Sequence, residues 1–415
     1  MFYSFLKVLV RITLKLFFRK IHITGTEHIK DDKAQLIASN HPNGFLEPLI
    51  MACFFPKPLH FLVRGDVFDN SFLRPMLIST NQIPIFRFKD GFSRLRENSQ
   101  TIDESLQVLI DKNNLLIFAE GNTQSIKKLR PLQKGISRIA FQTLEKKPDL
   151  DLEILPVGIN FTYPDKFDKT VMLRIGAPVQ AKDYFDLYSI DKNSGHQKLL
   201  DDLYASIKKN VIHIEDENNT SLFEDLVIIE RSKSKISYPP VFSTSDDNLI
   251  IEKNLAIKIE LLSEKQNSSL KQEVFTLKNQ MRVSGIKLDD LNKKIMSISR
   301  LVVLIIGFLP ALYGAITHSI PIAGGYYFTK TKVSQKEFRA SILMVSVLIL
   351  MLLLYIFLII IFIICHLPIY HLLIIFFSGI WLRYYYTFWN DSTFKSVNII
   401  QNFKLKAIAI LDSIN

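Results

Sequence analysis

The sequence predicts an α/β domain, then a helical insert, then a C-terminal α-helical membrane region. Three observations predict it. From residue 21 to about 190, short apolar runs alternate with stretches of helical periodicity. From Leu270 to Ile298, apolar residues recur at spacings of four and three. Ala340–Cys365 is an apolar run without a charge, long enough to span a bilayer.

The elements follow in order. Residues 2–21 place Lys7, Arg11, Lys15 and Arg19 at four-residue intervals, with Phe5, Leu6, Leu9, Ile12, Leu16 and Phe17 largely opposite. This fits an interfacial amphipathic helix over 1–20, its cations facing anionic lipid. Strands are expected at Ile21–Thr24, Gln35–Ser39, Leu59–Val63, Leu115–Phe118, Leu152–Asn160 and Lys169–Ile175, with helices over 45–54, 71–79, 91–112, 134–145 and 197–212. The α/β domain thus covers 21–212. Residues 214–221 and 232–248 are polar, the second with Pro239-Pro240, and read as linkers or exposed loops.

Within 213–300, Leu270, Val274, Leu277, Met281, Leu288, Leu291, Ile295 and Ile298 form a heptad seam, with Ser284 at one position. It suits a helical hairpin within the chain, or a homodimer through 249–298. The membrane region covers 301–390. Ile369–Leu382, followed by the aromatic group 383–389, reads as a second span ending in an interfacial belt. The segment 301–328 is interrupted by Pro310, Gly314, Pro321, Gly324 and Gly325. A full crossing would carry Lys330, Lys332, Lys336 and Arg339 to the outside, so a re-entrant segment followed by a hairpin is expected, with 391–415 a cytoplasmic tail.

Composition narrows the partners. The chain has 415 residues, is 48% hydrophobic and carries a formal net charge of +11. Its cations cluster beside apolar helices, which favours an anionic membrane surface over nucleic acid. Its two cysteines, Cys53 and Cys365, lie far apart in apolar runs, so neither a disulfide framework nor a cysteine metal site is expected. Charges interrupt the N-terminal apolar stretch and no small-residue cleavage site follows, so the bulk of the chain is expected on the cytoplasmic side.

The chemistry centres on Leu36–Ile50. An apolar run stops at Asn40-His41-Pro42-Asn43-Gly44 and resumes around one carboxylate, Glu47. A histidine can take a proton from a hydroxyl when a carboxylate holds its other nitrogen in the donor tautomer. Alone, such a pair more often marks a satisfied strand-end histidine and a solvated acid. Three further stretches follow in order: Asn81–Arg87, ending a short apolar run in an arginine; Phe118–Gly135, with Glu120-Gly121 and a basic tail; and Ile154–Asn160, with Pro156.

Together these four stretches resemble the glycerolipid acyltransferase family, which joins fatty acyl groups from a thioester donor to glycerol-3-phosphate or lysophospholipids. The resemblance covers roughly residues 1–210 and implies an α/β acyltransferase domain with a central mixed sheet flanked by helices. The family's first-block histidine and acid map onto His41 and Glu47, its second block onto Ile83–Arg87, its third onto Phe118-Ala119-Glu120-Gly121-Asn122-Thr123, and its fourth onto Pro156. Two departures stand out. Five residues separate His41 from Glu47 where the usual block has four, and Ala119 replaces the usual proline. The turn at Pro42-Asn43-Gly44 must absorb the extra residue; an NHPN-type branch of the family shares the longer spacing.

The resemblance implies that His41 deprotonates the acceptor hydroxyl while Glu47 steadies the imidazolium, with no covalent acyl-enzyme, no metal and no bound cofactor; acyl-CoA or acyl carrier protein is the co-substrate. Arg87, with Arg130 or Lys134 as helpers, is expected to bind the acceptor phosphate. Glu120 and Gly121 are expected at the acceptor site, joined by Asn43, Asn122 and Thr123. Lys127, Lys128 and Arg130 read equally as a solvated or lipid-facing patch. The competing functions are remodelling of other lysophospholipids and a catalytically inactive membrane scaffold; Glu47, standing where the family's first block usually has aspartate, favours the scaffold, and the retained constellation opposes it.

Overall fold

The computed structural model describes residues 2–86, 98–234 and 241–414. Arg87 and the start of the helix expected from residue 91 lie outside them. The chain forms two compact units, 1–212 with 241–246, and 213–240 with 247–415.

The first unit opens with helix α1 (Phe2–Phe17) and strand β1 (Lys20–Thr24). There follow β2 (Ala34–Ser39), α2 (Leu46–Phe54), β3 (Leu59–Arg64), α3 (Leu73–Ser79), β4 (Gln82–Ile85), α4 (Asn98–Ile110), β5 (Asn114–Phe118), α5 (Gly135–Lys146), β6 (Leu152–Phe161), β7 (Thr170–Ile175), β8 (Val179–Gln180), α6 (Phe185–Ile190), α7 (Lys192–Lys208) and β9 (Phe242–Ser243). The sheet runs β4-β3-β5-β2-β6-β7-β1-β9, with β8 against β6. It is mixed. β4, β3, β5, β2 and β6 are parallel neighbours, whereas β7 returns antiparallel to β6. The short connection after β6 allows only that return, while parallel neighbours need longer crossovers.

Every residue of β2 is buried, as an apolar strand covered on both faces must be. Its register is fixed at the start by a polar row. Gln35 lies opposite both Asn114 and Glu153, and its Nε2 donates to Glu153 Oε2 at 2.8 Å. A one-residue slip would break that row and turn the side chains over. The far end of the same register sets Ser39 beside Phe118 and Val157, so the C-terminal ends of β2 and β5 meet beside the middle of β6. Pro156 is tolerated in β6 because it falls between the residues paired to β8 and those paired to β7.

Several expectations are corrected. The four-residue β4 and two-residue β8 were too short to show periodicity, and β9 comes from the stretch read as a linker. In α1 and just after it, the cations are only partly turned outward. Lys7 Nζ donates to Phe55 O (3.0 Å), Arg11 stacks over the Phe54 ring (5.1 Å), and Arg19 pairs with Asp168 (3.3 Å). Carbonyls at the end of a helix carry partial negative charge, and α2 ends at this point. Val10, Leu14 and Phe17 are buried, leaving Phe2, Phe5, Val8 and Ile12 exposed.

The second unit contains α8 (Thr220–Lys233), α9 (Asp247–Leu261), α10 (Glu264–Val283), β10 (Lys294–Ile295), α11 (Ile298–Lys332), α12 (Lys336–Ile364), α13 (Tyr370–Asn390), β11 (Ser392–Thr393) and α14 (Val397–Asp412). The heptad seam is not one helix. Leu270, Val274, Leu277 and Met281 are buried on α10, which ends where Gly285 takes φ 67° and Ile286 N bonds back to Met281 O (2.8 Å). This is a Schellman stop, which breaks the seam after Met281. Leu288 and Leu291 are buried beyond it, and Ile298 is exposed. The segment 301–328, expected to break, lies within the continuous helix α11 with Pro310 and Pro321 inside it. Apolar helices tolerate proline where neighbouring elements re-satisfy the backbone. α11 and α12 are both long and apolar enough to cross a membrane.

Candidate active site

The site is built where β2 and β5 end. β2 runs out at Ser39, and the next residue, Asn40, ties the loop to the sheet. Its Oδ1 accepts Ile159 N (2.8 Å) and its Nδ2 donates to Ile159 O (3.0 Å). His41 follows and lays its ring flat on Phe118, the last residue of β5, at a centroid separation of 3.8 Å and an interplanar angle of 10°. The chain then bends, and α2 begins at Leu46 with Glu47 in its first turn, fully buried.

The bend brings the acid back to the histidine. Glu47 Oε1 lies 3.5 Å from His41 Nδ1. The same oxygen accepts the backbone N–H of Asn43, which locks the turn. Asn43 is itself buried and donates from Nδ2 to Pro164 O (2.6 Å). At 3.5 Å the His41–Glu47 contact is electrostatic and not yet a hydrogen bond. Among the described residues, neither His41 Nδ1 nor Glu47 Oε2 has a hydrogen-bond partner. Burial pushes the Glu47 carboxyl above the usual carboxylate range, and the imidazole of His41 is the main influence pulling it back. Catalytic hydrogen bonds that are long without substrate commonly tighten when it binds.

The third block supports the same loop. Glu120 is buried, and three N–H groups converge on it. Oε2 accepts His41 N (2.8 Å) and Arg130 Nη2 (2.8 Å), and Oε1 accepts Arg130 N (2.8 Å). Arg130 also donates to the side chain and backbone carbonyl of Asn122. Thr123 Oγ1 and Gln124 N both donate to His41 O, at 3.0 and 3.1 Å. Gly121 has φ 77°, and an added Cβ there would meet Gln133 Cγ at 2.8 Å.

Of the residues expected at the site, the structure therefore brings together His41, Asn43, Glu47, Glu120, Asn122, Thr123 and Arg130, with Gly121 in the turn. Lys134 lies exposed at the start of α5, and its positive charge acts on His196, lowering that imidazole's pKa after the larger effect of burial. Arg87 lies outside the described residues. The four-block resemblance assigns no role to Asn40 or Phe118. Their signals were present: the residue before the histidine, and the aromatic ending the neighbouring strand. A cavity of about 560 Å³ opens at the ends of β1 and β7, beside Thr24, Arg174 and Lys209; none of His41, Glu47, Glu120 or Arg130 lines it. Among the described residues, no group of three or more His, Cys, Asp or Glu side chains could hold a metal.

Residues 20–160 match the family model described as Acyltransferase, a span that holds every block above. This stretch is an acyltransferase-family domain. Over 118 residues the chain is 28% identical to an uncharacterized acyltransferase of Schizosaccharomyces pombe, covering 28% of this chain and 17% of that protein. It is 32% identical over 72 residues to glycerol-3-phosphate O-acyltransferase 1 of Saccharomyces cerevisiae, covering 17% of this chain and 10% of that protein. Against glycerol-3-phosphate O-acyltransferase 2 of the same yeast it is 23% identical over 112 residues, or 27% and 15% of the two chains. The matches thus span less than a fifth of each relative's length. Among solved structures, the 1-acyl-sn-glycerophosphate acyltransferase of Thermotoga maritima aligns over 50% of this chain and 78% of its own, at 16% identity and a TM-score of 0.37. Within the acyltransferase-family domain of this chain, His41 follows the end of β2, Glu47 sits in the first turn of α2, and Glu120 accepts the backbone N–H of His41.

Proposed function

We propose that this protein is a membrane-bound O-acyltransferase that moves a fatty acyl group from a thioester donor, acyl-CoA or acyl carrier protein, to a hydroxyl of glycerol-3-phosphate or lysophosphatidate. The observation that carries the reading is the facing of His41 Nδ1 and the buried Glu47 carboxylate at 3.5 Å, inside the matched family span. In this reading the acceptor oxygen attacks the thioester carbonyl as His41 Nε2 takes its proton. The tetrahedral intermediate then collapses, the C–S bond breaks, and the imidazolium returns the proton to the departing thiolate. Glu47 holds Nδ1–H and balances the charge that forms on the ring. No acyl-enzyme is required.

The cations are assigned by what already engages them. Arg130 is committed to Glu120 and Asn122, so it supports the site; the acceptor phosphate is assigned to Arg87 by its place in the second block, with the exposed Lys134 as helper. The exposed Phe2, Phe5, Val8 and Ile12 of α1 lie in the headgroup layer with Lys15, and the active face is on the cytoplasmic side. The similarity to two glycerol-3-phosphate O-acyltransferases supports this acceptor class. The test is turnover of a labelled acyl thioester with each acceptor by the full chain in detergent, compared with His41→Ala. Loss of turnover in the variant supports the mechanism. Absence of turnover by both proteins across donors and acceptors defeats the enzyme reading.

A further inference from the structure

The three long apolar helices of the second unit are paired in a way that straight parallel rods cannot be. α13 lies antiparallel to the first half of α11. Arg300 Nη2 donates to Phe388 O (3.3 Å), Tyr385 Oη to Leu304 O (3.2 Å) and Trp381 Nε1 to Gly307 O (2.9 Å). Beyond Gly314, whose added Cβ would strike Ser378 O at 2.3 Å, the neighbour of α11 becomes α12, again antiparallel. His318 Nε2 meets Tyr355 Oη at 2.9 Å, and a Cβ on Gly325 would strike Val347 at 2.3 Å. α12 and α13 are also antiparallel to each other, through Tyr355–Phe376 and Phe362–His371, with ring centroids 6.1 and 6.3 Å apart.

Three rods along one axis cannot all be mutually antiparallel. Each helix is therefore shared between two arms that meet near His318, where an added Cβ on Gly379 would lie 2.8 Å from the imidazole. The first arm joins the start of α11 to the end of α13. The second joins the end of α11 to the start of α12, and the third joins the end of α12 to the start of α13. The imidazole ties the junction together: Nδ1 faces Gly314 O and Thr317 Oγ1 (both 2.9 Å), and Nε2 faces the Tyr355 hydroxyl (2.9 Å).

Charge sorts the three tips. Lys293, Lys294, Arg300 and Lys395 stand at the first, and Lys330, Lys332, Lys336 and Arg339 at the second. The third tip, 365–369, lies within a stretch from Ala340 to Leu382 that has no Asp, Glu, Lys or Arg. Strand pairing adds a parity constraint. β10, just before α11, pairs with β11, just after α13, with Lys294 opposite Ser392 and Ile295 opposite Thr393. The bundle therefore begins and ends at one place, which three successive crossings would not allow.

We propose that this junction is embedded in a bilayer with both basic tips on one face and the 365–369 tip alone reaching the other. α11 is then a bent intramembrane helix that enters and leaves by the same face, with Pro310 and Pro321 easing the bend. α12 and α13 form the crossing hairpin. Their 29 and 21 residues extend about 43 and 31 Å at 1.5 Å per residue, against a hydrocarbon core of about 30 Å. The arrangement keeps both cation clusters on the cytoplasmic face, as the positive-inside tendency requires. It does not depend on the acyl-transfer reading.

The test is labelling of the full chain in sealed vesicles with a membrane-impermeant maleimide. Native Cys365 reports the third tip, because Cys53 is buried and its thiol is pushed up to about 12. Ser334→Cys and Ser396→Cys, each with Cys365→Ser, report the other two tips; both serines are exposed. The expected result is labelling of the two introduced cysteines from one face and of Cys365 only from the opposite face. Labelling of Ser334→Cys and Ser396→Cys from opposite faces would overturn the proposal, as would labelling of all three from one face. Release of the chain by carbonate washing would overturn it as well.

Discussion

Glu120 accepts the backbone N–H of His41 at 2.8 Å while its other oxygen accepts the backbone N–H of Arg130. The third-block acid thus holds the catalytic candidate by its main chain, from beneath. This relationship predicts an unusual sensitivity to an isosteric change. All the groups meeting Glu120 are donors: His41 N, Arg130 N and Arg130 Nη2. In Glu120→Gln the amide nitrogen faces a donor whichever way it turns. We expect a loss of about 1–3 kcal/mol in stability from the unsatisfied groups. Turnover should fall with little change in acceptor KM. Denaturant titration and steady-state kinetics check both; a variant with normal stability and a raised KM alone would place Glu120 on the substrate.

Gly121 gives a second prediction. With φ 77°, an alanine there suffers left-handed strain of about 1–2 kcal/mol and also drives its Cβ against Gln133 Cγ. Gly121→Ala should lower stability by at least that strain. Adding Gln133→Ala should recover the steric part only. The double variant, measured by thermal unfolding, is expected between Gly121→Ala and the parent; full recovery would show that the backbone conformation carries no cost.

Much of this was legible in the sequence because the strands that build the site are long and apolar. The apolar runs predict β2, β5 and β6 to within a residue or two, and their parallel register then forces His41, Phe118 and the Ile159 backbone together. On one continuous helix, a separation of six would put His41 and Glu47 on different faces. The structure shows that spacing does not apply, because α2 begins only at Leu46 and the Asn43 amide pins the acid back. What was not legible is competition among cations. Nothing local distinguishes Arg130, held by Glu120, from Lys134, exposed one turn later. The same limit hid the use of Lys7 and Arg11 on the end of α2, since a helix face predicts where a side chain points and not what meets it there. The heptad seam misled for a different reason: its period continues in sequence across Gly285, where the backbone turns.

Phe118 should matter through the imidazole it carries. The stack at 3.8 Å fixes the plane of the His41 ring, so Phe118→Leu removes the orienting surface while keeping most of the apolar volume. Aromatic pairs of this kind contribute about 0.5–1.5 kcal/mol beyond area burial. We expect kcat to fall by about three- to tenfold, that energy expressed as a rate. KM for both substrates should hold. Kinetics of Phe118→Leu beside Phe118→Tyr check this; the tyrosine, which keeps the stack, should recover most of the rate.

Glu47 links activity to pH-dependent stability. Its carboxyl is raised by burial, so the folded chain holds that proton more tightly than the unfolded chain does. Between the unfolded carboxylate value and the raised folded one, the native state binds more protons. Stability contributed by this group therefore falls as pH rises through that window, and the deficit persists above it. Glu47→Gln removes the titration. At neutral pH the variant should be at least as stable as the parent, while below the unfolded carboxylate range its advantage should vanish. Activity moves the other way. Without a charge beside Nδ1 the imidazolium is unsupported and the ring is free to take the wrong tautomer, so kcat should drop by about 10²–10⁴-fold. Thermal unfolding across pH, read beside turnover, separates the two effects. A variant that loses both stability and activity at neutral pH would mean that Glu47 holds the turn at Asn43 more than it serves His41.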